Sequence, residues 1–74
     1  MRICLQLLYT EGWVNLAKII VPNIVNFCRK HGYTWNIQCF PEPCPSDFGY
    51  EKLRQIKNIF DNNEADVVWS VDCD

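Results

Sequence analysis

No block of basic residues runs through this 74-residue sequence. Lys18, Arg29, Lys30, Lys52, Arg54 and Lys57 are scattered and the formal net charge is -2, so the electrostatic footprint of a nucleic-acid-binding protein is missing. No two cysteines stand in C-x-x-C spacing; the closest pair is Cys39 and Cys44, and His31 is the one histidine. A structural zinc site would have to draw on irregularly spaced ligands. The first apolar run starts after Met1-Arg2 and stops at Tyr9-Thr10-Glu11. It is too short for a transmembrane helix and has no small-residue cleavage site, so neither a membrane span nor a secretory signal is expected. Low complexity and internal repeats are absent as well. The five cysteines, Cys4, Cys28, Cys39, Cys44 and Cys73, therefore read as reduced, mostly buried thiols of a cytoplasmic protein.

What is present is apolar bulk. Hydrophobic residues make up 49% of the chain and include Trp13, Trp35 and Trp69, which argues against disorder. The length allows one small domain, residues 1-74, and a chain this short buries only roughly 60% of its unfolded surface. So greasy a composition in so small a domain implies apolar surface that meets a further half of a larger protein or a second copy of the chain.

Ile3 to Tyr9 (ICLQLLY) is an apolar stretch interrupted only by Gln6, the mark of a buried strand. From about Val14 to His31, Leu16, Ile19, Ile20, Ile24, Phe27 and Cys28 recur at three-to-four-residue spacing and predict an apolar helix stripe. Pro22 inside it predicts a kink or the first turn of a second helix. Arg29-Lys30-His31 suit a helix carboxyl end, and Gly32 supplies its left-handed stop. Tyr33 to Phe40 alternates, with Trp35, Ile37 and Cys39 on one face and Asn36 and Gln38 on the other, as in a half-exposed strand. Pro41, Pro43 and Pro45 impose an extended loop. Ser46 or Asp47 can cap a helix from about Phe48 to Asn62. That helix would turn Leu53, Ile56, Ile59 and Phe60 inward and pair Lys57 with Asp61 on its surface. Ala65 to Val71 is the third strand.

Strand, helix, strand, helix, strand predicts an α/β fold with a parallel sheet and crossover helices, a Rossmann-like half-domain of three layers. The first and third strands are the apolar ones and are expected to be central, with the more polar second strand at an edge. The expected sheet order is 2-1-3, with the helices on opposite faces. Order reverses between strands one and three, and ligands of such sheets bind at the carboxyl ends there. Tyr9, Thr10 and Glu11 stand at one of those ends, Asp72, Cys73 and Asp74 at the other. Two acids one residue apart on an extended strand project the same way. Such a pair suits a hard divalent cation such as Mg²⁺ or Mn²⁺ that bridges to a diphosphate.

The sequence resembles the start of a type-A-fold glycosyltransferase over nearly its whole length. The resemblance is carried by His31-Gly32-Tyr33, by Tyr50-Glu51-Lys52-Leu53 and by the segment E-A-D-V-V-W-S-V-D-C-D from Glu64 to Asp74. It is closest to the galactosyl- and mannosyltransferase group related to fungal α-1,2-galactosyltransferases. The resemblance implies a nucleotide-sugar donor, UDP- or GDP-linked, with Asp74 as direct metal ligand and Asp72 facing the ribose or the metal. It further implies Tyr9 and Thr10 along the base pocket and Lys52 near the diphosphate. Cys73 departs from the small residue usual between the motif acids. Family members continue into a second half that binds the acceptor, so the resemblance implies an N-terminal part that transfers little or nothing alone.

Each of these residues also has a plainer reading. Tyr9 can simply end a strand in the core, and Asp72 and Asp74 can be a solvated pair. Glu11 and Lys52 can be surface charges, since exposure is their default. His31 reads as a helix-end residue and Trp35 and Trp69 as core. Cys39 and Cys44 flank the proline loop and read as inert thiols. Two other classes of function fit the pattern. One is a non-catalytic α/β interaction module docking through a sheet edge or apolar face. The other is a flavodoxin-like or receiver-like domain with Mg²⁺ at its strand-end acids, against which stands the lack of a third helix and a later lysine-bearing strand.

Overall fold

The computed structural model describes residues 1-43 and 47-72. Three strands and two helices alternate: β1 Ile3–Thr10, α1 Val14–His31, β2 Thr34–Phe40, α2 Phe48–Asp61 and β3 Val67–Val71, with a 3-10 turn, Glu11–Trp13, leading into α1. All strands are parallel and the sheet order is β2-β1-β3, as the alternation predicts.

β1 is central and carries the burial. Cys4, Leu5, Gln6, Leu7 and Leu8 are all nearly inaccessible, because a parallel strand with a helix on each face has no solvent side. Its residues alternate between the two helices. Leu5 shares a trough with Ile20, Ile24 and Phe27 of α1. Cys4 packs with Ile59 of α2 and with Ala65 and Val68. The helices thus cover opposite faces.

β3 is not central. It forms the edge opposite β2, and Trp69 is 51% exposed. Trp35 is 40% exposed, with the Arg29 guanidinium 5.8 Å from its ring centre. Neither tryptophan is core, because each stands on an edge strand whose α1-side face the single helix only partly covers.

α1 runs unbroken through Pro22. The proline has no N–H to offer the carbonyl one turn back, and it is exposed. The helix buries Ala17 and Cys28, half-buries Ile20 and Ile24, and leaves Ile19 66% exposed. Gly32, at φ 74°, ends it, and Tyr33 N–H donates to the Cys28 carbonyl at 2.8 Å. Only a residue without Cβ takes that conformation freely.

Asp47 caps α2, its carboxylate accepting from Tyr50 N–H at 3.0 Å. Lys57 and Asp61 pair along the outer surface. Ile56 and Ile59 turn inward as expected, but Leu53 is 67% exposed and Phe60 is exposed too. The sheet face beneath α2 explains the rotation. The register aligns Ser70, Gln6 and Asn36 in a polar row across all three strands, and the helix meets it with Gln55. Asn36 and Gln38 are consequently half-buried under α2, while Trp35 and Cys39 are exposed, the reverse of what a polar-out reading of β2 anticipates.

At the amino edge Arg2 pins the start of β3. Its side chain donates to Asn63 O at 2.6 Å and Asn63 Oδ1 at 2.8 Å, and its backbone N–H to Asp66 Oδ2 at 2.8 Å. The backbone bond, and after it the bond from the Arg2 guanidinium to Asp66 Oδ1 at 3.3 Å, hold the Asp66 carboxyl below the usual range. Among the described residues no helix is long and apolar enough to cross a membrane.

Candidate functional site

The carboxyl edge of the sheet gathers the residues singled out by sequence. α2 runs back from this edge, so its first turns stand beside the strand ends. Phe48, its first residue, meets Phe40 at the end of β2 edge to face, ring centroids 6.0 Å apart. One turn on, the Lys52 ammonium lies 5.2 Å from the Phe48 ring centre and pairs with Asp72 Oδ1 just beyond β3. Lys52 is 23% exposed and Asp72 57%. The pair is therefore partly shielded on the lysine side and open to solvent on the carboxylate side. Exposed pairs of this kind add little stability, and positioning is the more relevant consequence.

The positioning has a visible cause. Gln6, fully buried, donates from Nε2 to the Lys52 carbonyl at 3.3 Å and accepts from Ser70 Oγ at 2.9 Å. One side chain on β1 thus ties the α2 turn that carries Lys52 to the β3 residue two before Asp72. Beside it, Asn36, Gln38 and Gln55 bond to one another at 3.0–3.3 Å. No buried side-chain polar atom among the described residues lacks a partner, which is the condition for a polar layer to specify one packing.

Tyr9 and Thr10 lie elsewhere on the same edge. The last β1–β3 pair is Leu7 with Val71, whereas Tyr9 and Thr10 pair with Cys39 and Phe40 of β2. They are half-buried. Thr10 joins a clasp between the segments that leave β1 and β2. The Glu42 carboxylate accepts from Gly12 N–H at 3.1 Å, and Glu11 Oε1 accepts from Glu42 N–H at 3.0 Å. The Thr10 hydroxyl, and after it the Gly12 N–H, hold the Glu42 carboxyl below its ordinary value. A Cβ on Gly12 would come within 2.9 Å of Glu42 Oε2, so a side chain there would push the carboxylate aside. Glu11 is exposed but not idle.

Lys52 and Asp72 are thus brought together, while Tyr9 and Thr10 form a second cluster toward β2. Asp74 and Cys73 lie outside the described residues, as do Cys44 and Ser46. Among the described residues no three His, Cys, Asp or Glu side chains are grouped to hold a metal ion. Asp72 is one oxygen donor, and a carboxylate with one oxygen on an ammonium keeps further acceptor sites.

Gln6, Ser70 and Glu42 carry structural work that sequence reading passed over. Gln6 had a signal, as the one interruption in the apolar stretch from Ile3 to Tyr9. Glu42, between Pro41 and Pro43, had none. No protein-family model matches the chain, and neither does any curated protein or solved structure.

Proposed function

We propose that the chain is the donor-binding part of a metal-dependent glycosyltransferase that uses a UDP- or GDP-linked sugar. The observation that carries the reading is the Lys52–Asp72 pair at the point where the strand order reverses, the place at which open parallel sheets take their ligands. In this reading Asp72 and Asp74 hold Mn²⁺ or Mg²⁺. Mg²⁺ usually needs only one or two carboxylates besides substrate phosphates and water, a requirement these acids fit. The ion, when bound, would neutralise charge on the departing diphosphate. Lys52 orients Asp72 and adds a fixed positive charge beside it. Gln6 keeps that lysine's backbone in place, and Tyr9 and Thr10 line the base. Calorimetric titration of UDP and GDP, each with and without Mn²⁺, tests the reading. Metal-dependent binding is expected in the wild type and its loss in Asp72→Asn/Asp74→Asn. Absence of binding by a folded wild type would end it.

A second reading has an observation of its own. Phe27, Trp69 and Ile19 leave apolar surface exposed along α1 and β3, which favours a non-catalytic module docking through that face. Sedimentation would separate the two: self-association indifferent to metal and nucleotide supports the module.

A further inference from the structure

At the other end of the molecule, between α2 and the start of β2, lies a half-open cleft of about 540 Å³. It shares no residue with the Lys52–Asp72 pair or the Thr10–Glu42 clasp. Its chemistry is unusual in being built from carboxamides. Gln55 and Asn58 stand on one face of α2 and Asn62 just past its carboxyl end, and Asn36 faces them from β2. Thr34 and Glu64 complete the polar rim, and Cys4 and Ile59, both buried, form an apolar floor.

We propose that this cleft binds an uncharged, hydroxyl-rich ligand of monosaccharide or disaccharide size. The volume lies within the range of small-molecule sites, which combine an apolar surface with a few convergent polar groups. Carboxamides both donate and accept, as sugar hydroxyls do, so a row of them matches a row of hydroxyls without requiring charge on the ligand. The donor set excludes anions: no lysine or arginine lines the cleft, and the Glu64 carboxylate repels them. It also disfavours a nucleobase, because the one aromatic residue at the rim, Trp35, has its ring under Arg29.

Part of the rim is already fixed in orientation. Asn36 donates to Gln55 Oε1 at 3.3 Å and accepts from Gln38 at 3.0 Å, while Gln55 donates to Gln38 Oε1 at 3.3 Å. Each carboxamide has two N–H groups and two lone pairs. Asn36 thus retains one N–H and one acceptor site, and Gln55 one N–H. Prior orientation of these groups lowers the ordering cost of binding. Asn58 and Asn62 are exposed and lie outside the network beneath α2, so they can be changed without disturbing the packing.

The test is a ¹⁵N NMR titration of the whole chain with maltose, N-acetylglucosamine and methyl glucoside as probes, each to about 50 mM, since a site of this size and openness is expected to bind weakly. At least one probe should shift the side-chain amide resonances of Gln55, Asn58 and Asn62 saturably and leave Thr10, Lys52 and Asp72 unmoved. Asn58→Ala/Asn62→Ala should weaken binding about tenfold, equivalent to ~1.4 kcal/mol. Asp72→Asn should leave it unchanged, which separates this cleft from the donor site. No saturable shift with any probe, or affinity unchanged in the double variant, or shifts confined to the carboxyl edge, would overturn the proposal.

Discussion

Gln6 offers the sharpest test of how the fold holds its site. It is fully buried on the central strand, accepts from Ser70 Oγ and donates to the Lys52 carbonyl. Gln6→Leu keeps the volume close but removes both hydrogen bonds. Lys52 O loses little, because a helical carbonyl also accepts from the residue four on. Ser70 Oγ loses the Gln6 acceptor. An unsatisfied buried group costs about 1–3 kcal/mol, and water can reach Ser70 on its edge strand, so about 1–2 kcal/mol is expected. In a domain of this size that corresponds to a fall in Tm of very roughly 4–15 °C. Removing both partners is far less costly than removing one, so Gln6→Leu/Ser70→Ala should recover to within about 0.5 kcal/mol of wild type. Urea unfolding followed by tryptophan fluorescence measures all four corners of the cycle. A Gln6→Leu protein as stable as wild type, or a double variant as unstable as the two singles combined, would refute the view that this residue is a structural tie.

The Glu42 clasp makes stability pH-dependent in a stated direction. The folded carboxyl titrates below its unfolded value, about 4.3, so its contribution is full above that value and is lost as pH falls through the folded one; the Tm gap between wild type and Glu42→Gln should be widest near neutrality and close in acid. Among the described cysteines, Cys39 is exposed whereas Cys4 and Cys28 are buried, and burial, then Cys4, pushes the Cys28 thiol up. Iodoacetamide followed by peptide mass spectrometry should mark Cys39 before Cys4 and Cys28, and Cys28 reacting as fast would contradict the packing. Gly32→Ala meets no atom within 4 Å but is forced to φ 74°, so backbone strain alone should cost about 1–2 kcal/mol in a denaturant melt.

The order of elements was legible because each signal was local. Apolar length marked β1, three-to-four spacing marked α1, and Gly32 and Asp47 marked a stop and a start. Sheet order followed from which strands were apolar. What escaped was orientation. Asn36 and Gln38 look like a solvent face when β2 is read alone, and they turn inward because Gln55 of α2 meets them there, in register beside the buried Gln6 of β1. The same pairing rotates α2, so Leu53 and Phe60 point outward despite their spacing. Site residues fared according to how far apart their partners lie. Lys52 and Asp72 stand 20 residues apart and meet because the sheet order brings β3 and α2 together. The division of Tyr9 and Thr10 from Asp72 depended on register, which composition does not encode.

The most direct test of the donor-site account is paramagnetic broadening of the ¹⁵N spectrum by Mn²⁺ in the presence of UDP and of GDP. The account expects the amide signals of Lys52 and Asp72 to broaden first with one of the nucleotides, Thr10 next, and those of Asn58 and Glu64 at the amino edge to stay sharp. Broadening that ignores the nucleotide and survives Asp72→Asn/Asp74→Asn, or that centres on any other part of the chain, would contradict it.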